Sequence, residues 1–131
     1  MPEPTSGPRS DGGPLVLVVD DDTDSRETIC AILEDLGYTV TVASNGRAAL
    51  ELLAVLPLPA LMLVDLMMPE MDGPTLLANV ESSAQHARIP VVVMTASGPN
   101  SVTSRLRYPM LRKPFDLDDL VRLVTAHAPR A

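Results

Sequence analysis

Polar side chains with the chemistry of phosphate binding stand where several short apolar runs of this sequence end. Asp20 and Asp21 follow the first such run, and Asp65, Thr95 and Lys113 end three later ones. A carboxylate can attack phosphorus as a nucleophile and form an aspartyl phosphate. A lysine ammonium can neutralise phosphoryl oxygens and a hydroxyl can hydrogen-bond them. If the fold brings these residues together, the set predicts a site that accepts a phosphoryl group.

The same residues also predict a metal-binding site. Three carboxylates in one place repel one another and therefore need a cation, and oxygen ligands with open positions suit Mg²⁺. The two histidines, His86 and His127, fall far from the ends of the apolar runs, so the set lacks a general base of that type. We therefore expect transient self-phosphorylation with Mg²⁺, and no turnover of a separate substrate.

The elements that would position these residues alternate between strand and helix. Continuous apolar runs predict buried strands at Leu15–Val19, 61–64, 91–94 and Met110–Arg112, and alternation predicts another at 38–43. Apolar residues at helical spacing fall between them and after the last one. This order predicts a parallel sheet with helices on both faces, whose carboxyl edge gathers ligand-binding residues.

Local signals set the expected helix ends. Thr23 or Asp24 can cap the first helix, and Gly37 can end it. Asn45 is the expected cap of the second helix, and Asp116 is that of the last one. Proline at position 74 suits the first turn of the third helix.

Composition excludes several classes of protein. The chain has 131 residues, 46% of them hydrophobic, and a net charge of −7, which argues against direct nucleic-acid binding. A single cysteine allows no internal disulfide, and no apolar run is long enough for a membrane span. Residues 1–14, rich in Pro, Gly and Ser, read as a flexible tail without a signal peptide. We expect one domain at 15–128, a short tail at 129–131, and a cytoplasmic location.

Four segments, in order along the chain, resemble the signatures of response-regulator receiver domains from two-component signalling. The first is LVVDDD at 17–22, and the second is DLMMPEMDG at 65–73. MTA at 94–96 and KPF at 113–115 complete the set. Each segment ends a predicted strand, so the resemblance is specific, and it spans most of the chain.

The resemblance implies a flavodoxin-like, doubly wound sheet of five parallel strands in the order 2-1-3-4-5. It implies that Asp65 is the phosphoacceptor and that Thr95 and Lys113 each contact a phosphoryl oxygen. Mg²⁺ would be bound directly by Asp21, Asp65 and the Met67 carbonyl, and through water by Asp20. The Lys113–Pro114 bond would be cis. The phosphodonor would be a sensor histidine kinase or a phosphotransfer protein, and the output a contact with another, unidentified protein.

The segment between Thr95 and Lys113 departs from the family pattern. It is shorter by roughly one helical turn, and its apolar residues are sparse, which predicts a short or irregular fourth helix across 100–107. The aromatic residue expected three positions before the lysine is replaced by Met110, and we expect Tyr108 to lie in the opposite strand phase.

The sequence also allows other functions. The altered segment leaves a second hypothesis, an interaction module with the same fold and a phosphorylation-independent output face. A phosphatase with an aspartate nucleophile is disfavoured, because Met67 stands where its second acid would be. Each residue alone also has a simpler explanation, such as helix capping for Asp20–Asp22, and the hypothesis depends on their joint arrangement.

Overall fold

The computed structural model describes residues 13–68, 72–96 and 108–128. Within these residues, five parallel strands form a sheet in the order β2-β1-β3-β4-β5, which confirms the predicted topology. The strands are β1 (Leu15–Val19), β2 (Thr39–Ala43), β3 (Leu61–Asp65), β4 (Val91–Thr95) and β5 (Met110–Arg112). The helices are α1 (Thr23–Asp35), α2 (Gly46–Val55), α3 (Gly73–Glu81) and α4 (Leu117–His127), with a 3₁₀ turn at His86–Arg88.

Helices cover both faces of this sheet. Along β1, Val16 and Val18 pack in the core beneath α1 and α4, whereas Leu17 and Val19 pack in the core beneath α2 and α3. Strands covered on both sides need apolar residues at every position, which explains the continuous runs in the sequence. The edge strand β2 instead buries only Val40 and Ala43, whereas its other residues are partly or fully exposed.

Most helix ends follow the predicted signals. The Asn45 side chain accepts a hydrogen bond of 2.8 Å from the Ala48 amide at the start of α2. Gly37 follows the end of α1 with a φ of 100°, a backbone conformation that glycine adopts without a Cβ clash. The prediction of Thr23 or Asp24 as the α1 cap is wrong. Asp22 takes that position with an extended backbone, because the next two residues already belong to the first helical turn.

Some predictions fall outside the described residues. The predicted short or irregular helix at 100–107 lies there, as do residues 1–12 of the predicted N-terminal tail. Among the described helices, none is both long and apolar enough to cross a membrane.

Candidate functional site

The carboxyl edge of the sheet brings the predicted site residues together through strand register. Val19 of β1 pairs with Val64 of β3, so the next residues, Asp20 and Asp65, leave neighbouring strands at the same level. Thr95 ends β4, the strand on the other side of Asp65. Lys113 follows β5, and its amide donates a 2.7 Å hydrogen bond to the carbonyl of Thr95.

Three carboxylates form an acidic cluster at this edge. One oxygen each from Asp20, Asp21 and Asp65 lies within 4.8 Å of the others. Asp20 is fully buried and Asp65 nearly so, whereas Asp21 faces solvent. Burying ionised carboxylates this close together is unfavourable unless a cation compensates them.

Lys113 supplies such a positive charge. Its Nζ lies 2.8 Å from Asp20 Oδ2 and 3.2 Å from Asp65 Oδ2. The ammonium therefore bridges the two buried carboxylates, and the Lys113 side chain is only 17% exposed. The Lys113–Pro114 peptide bond is cis, as predicted.

The pKa values of Asp65 and Lys113 reflect this balance of burial and charge. Burial raises the pKa of the Asp65 carboxyl above its ordinary value, and the nearby Asp20 adds to the effect. The Met67 amide and the Lys113 ammonium oppose the rise without cancelling it. For Lys113, burial lowers the pKa, but the hydrogen bond and charge of Asp20 and the charge of Asp65 outweigh burial and raise it.

The loop after β3 holds the Asp65 side chain from its other side. The Met67 amide donates a 3.0 Å hydrogen bond to Asp65 Oδ1. Gly73, at the start of α3, passes so close beneath this loop that an added Cβ would lie 2.6 Å from Leu66 Cα and 2.8 Å from the Asp65 carbonyl oxygen. Any larger residue there would push on the backbone that carries Asp65. The side chain of Met67 is exposed.

Met110, which stands in place of the expected aromatic residue, and the nearby Tyr108 pack on one face. Met110 and Tyr108 both lie against the core beneath α2 and α3. The prediction that Tyr108 has the opposite strand phase is therefore wrong, because residues two apart in extended chain point to the same side. The Tyr108 hydroxyl donates a hydrogen bond to the Glu81 carboxylate at the end of α3. Burial and this carboxylate raise the pKa of Tyr108 to about 12.

Sequence reasoning missed two groups that hold residues 20–22, the acidic loop. The Asp22 amide donates a 2.9 Å hydrogen bond to Asp20 Oδ1. The Arg26 guanidinium donates a 2.9 Å hydrogen bond through Nη1 to the Asp20 carbonyl. An arginine one helical turn after the acidic run was the available signal for the second group.

The donor set suits a hard divalent cation. Its three side chains offer only carboxylate oxygens, and the exposed Asp21 leaves the cluster open to solvent. An open site of this kind suits Mg²⁺, which usually keeps several of its waters and is seldom enclosed by protein ligands alone.

Comparisons with known proteins agree with this geometry. A family model described as the response regulator receiver domain matches residues 16–125. The two-component response regulator ORR5 of Oryza sativa subsp. japonica is 36% identical over 116 residues, which cover 86% of this chain and 87% of that protein. The DNA-binding transcriptional regulator NtrC of Escherichia coli K12 is 39% identical over 114 residues, but these cover only 24% of its length.

A solved structure, the receiver domain of the Francisella response regulator 1452, superposes with a TM-score of 0.76 at 31% identity. The match covers 88% of this chain and 96% of that one. Shared fold, sequence identity and family signatures together establish that this chain belongs to the response regulator receiver domain family of two-component signalling.

Proposed function

We propose that residues 15–128 form a phosphorylation switch that carries its phosphoryl group on Asp65. The observation that carries the proposal is the bridge made by Lys113, whose ammonium joins Asp65 to Asp20 at the open edge of the sheet. This places a buried carboxylate, a second acid and a fixed cation around one point. Receiver domains act in general as signalling switches that partner with histidine kinases, and this site has the parts for that role.

The transfer step follows from the chemistry of these groups. The donor is a phosphohistidine on a sensor histidine kinase or a phosphotransfer protein. An Asp65 oxygen forms a bond to phosphorus while the phosphorus–nitrogen bond breaks, and the bonding pair returns to the imidazole nitrogen. Lys113 neutralises charge on the phosphoryl oxygens and Thr95, buried at the end of β4, hydrogen-bonds one of them. Hydrolysis of the acyl phosphate by water later resets the switch, and we propose no other enzymatic activity.

The acidic cluster would hold the Mg²⁺ that this transfer requires. Asp21, Asp65 and the Met67 carbonyl would bind the ion directly. Asp20, which is fully buried, would contact the ion through water, as the resemblance to receiver domains implies. When bound, Mg²⁺ offsets negative charge on the phosphoryl group and on the carboxylates around it.

The partners and location follow from charge and composition. A net charge of −7 opposes direct contact with nucleic acid, so we propose that the output is a protein–protein contact. A cytoplasmic location would give access to the kinase and suits a chain with a single cysteine.

One observation supports a second candidate, an interaction module whose output does not depend on phosphorylation. Met110 stands at the start of β5 in place of the expected aromatic residue. A flexible methionine side chain fits the packing before and after phosphorylation at little cost. Hydrogen exchange with and without beryllofluoride distinguishes the two. The switch predicts changed protection across 96–109 on activation, and an unchanged segment favours the module.

Labelling by a small acyl phosphate tests the proposed function. The wild-type protein should be labelled with Mg²⁺ present, and Asp65→Asn should not be labelled. Asp72→Asn is a matched control, because Asp72 lies beyond the same loop and Asn is as good a helix cap as Asp. Equal labelling of wild type and Asp65→Asn would contradict the assignment.

A further inference from the structure

Asp20 is fixed by a hydrogen bond at each of its polar groups. Its amide donates to the Ala43 carbonyl of β2 over 3.0 Å. Its Oδ1 accepts from the Asp22 amide over 2.9 Å, and its Oδ2 accepts from Lys113 over 2.8 Å. Its own carbonyl accepts from the Arg26 guanidinium over 2.9 Å. Of these partners, only Arg26 reaches Asp20 from a helix.

Arg26 closes the acidic loop with two bonds. Its amide donates to the Asp22 carbonyl over 2.9 Å within the first turn of α1, and its half-buried side chain reaches back to the Asp20 carbonyl. The Asp20 carbonyl and the Asp21 amide belong to one planar peptide group. Holding the carbonyl therefore sets the direction in which the chain continues into Asp21.

We infer that Arg26 is a positioning residue for the metal site and acts through this peptide group to orient the Asp21 carboxylate. The inference rests on the proposed function, in which Asp21 binds Mg²⁺ directly. Asp21 is exposed, unlike Asp20 and Asp65. Arg26 makes its bond to a carbonyl behind the loop, so its guanidinium need not enter the cleft.

If Arg26 acted only through its charge, its removal would change the Mg²⁺ affinity in the opposite direction. The direction of the change therefore tests the inference. A guanidinium beside the cluster repels a divalent cation, so removing its charge alone would tighten Mg²⁺ binding. Loss of a group that orients a metal ligand weakens binding instead, typically by tenfold or more.

The test is a Mg²⁺ titration followed by amide NMR spectra, without any phosphodonor. Arg26→Met keeps the apolar stem of the side chain and removes the donor and the charge, and Arg26→Lys keeps a charged donor with a shorter reach. Arg47→Met, on the exposed surface of α2, is the control for a lost charge. We expect Mg²⁺ affinity to fall about tenfold in Arg26→Met, with Arg26→Lys intermediate. The control should stay within about twofold of wild type.

The metal-free spectra provide a second readout. The Asp21 amide signal should move in Arg26→Met and stay in place in Arg47→Met. Mg²⁺ affinity in Arg26→Met equal to or tighter than wild type would overturn the inference. If Arg26→Met does not fold, the same comparison is made with Arg26→Lys.

This experiment separates the inference from the proposed function. A wild-type protein that neither binds Mg²⁺ nor labels with an acyl phosphate would refute the proposed function itself. A wild-type protein that does both, beside an Arg26→Met variant with undiminished affinity, would refute only the role of Arg26.

Discussion

Replacing Lys113 by methionine should destabilise the metal-free protein, because it leaves two buried carboxylates without their cation. The ammonium lies 2.8 Å from Asp20 and 3.2 Å from Asp65, and the Asp20 side chain has no solvent exposure. Methionine keeps most of the length and the apolar stem of lysine. The variant therefore removes mainly the charge and its hydrogen bonds.

The size of the effect follows from these distances. At an effective dielectric constant of about 20, each ion pair is worth roughly 5 kcal/mol before desolvation is counted. Desolvation of the ammonium offsets much of this, and removing one partner of a buried pair typically costs about 3 to 5 kcal/mol. Because Lys113 remains 17% exposed, we expect the low end, about 3 kcal/mol, or a fall in Tm of about 10 °C.

Protonation of Asp65 and binding of Mg²⁺ should both reduce the loss of stability in Lys113→Met. Without Lys113, the pKa of Asp65, already above its ordinary value of 3.8, rises further because an opposing charge is gone. A carboxyl whose pKa is raised by folding regains stability as the pH falls through that pKa, until the unfolded chain is protonated as well. The gap between variant and wild type should therefore narrow from pH 7 toward pH 5. Mg²⁺ should stabilise the variant more than wild type, because no ammonium competes for the carboxylates.

Urea unfolding at pH 7 and pH 5, with and without Mg²⁺, measures these differences. Arg122→Met is the control, because its 3.2 Å pair with Asp119 has side chains that are 73% and 48% exposed. Such a surface pair is worth about 0.5 kcal/mol at most. A Lys113→Met variant within about 1 kcal/mol of wild type at pH 7, or a stability difference that widens toward pH 5, would contradict this role of Lys113.

The remaining predictions concern the metal, the loop and the fold. Asp21→Asn should suppress acyl-phosphate labelling at fixed Mg²⁺ although Asp65 is present, and undiminished labelling in excess chelator would count against a metal. Gly73→Ala should cost about 2 kcal/mol in urea unfolding and slow labelling, because its Cβ presses on the backbone around Asp65. Tyr38→Phe should cost about 1 to 2 kcal/mol without changing the labelling, because it leaves the Ala128 carbonyl without its buried donor.

Strand positions and the location of the site were accessible from the sequence because periodicity and local signals determine them, whereas the strand order was expected only from the resemblance to receiver domains. Apolar runs, and alternation for β2, predicted every strand to within a residue at each end, and the Asn45 cap and the turn at Gly37 followed from residue type. The cap of α1 was misplaced by a residue or more because three aspartates and a threonine compete there, and only backbone geometry selects Asp22.

The finer structure of the site depends on tertiary contacts that residue type does not encode. The bond from Arg26 to a backbone carbonyl is one such contact, because the position of an arginine one helical turn after the acidic run does not indicate which group it binds. The close approach of Gly73 to the loop after β3 is another, because a Gly-Pro pair reads equally well as an ordinary helix start. The phase of Tyr108 could have been predicted by counting residues, since it lies two positions before Met110.

The most direct test of phosphorylation on Asp65 is to locate the phosphoryl group itself. The wild-type protein is treated with a small acyl phosphate and Mg²⁺, then with borohydride, which reduces an aspartyl phosphate to homoserine. Peptide mass spectrometry then identifies the modified residue. We predict homoserine at position 65, dependent on Mg²⁺ and confined to that carboxylate. Homoserine at another aspartate, or none at any position under conditions where Mg²⁺ binds, would contradict it.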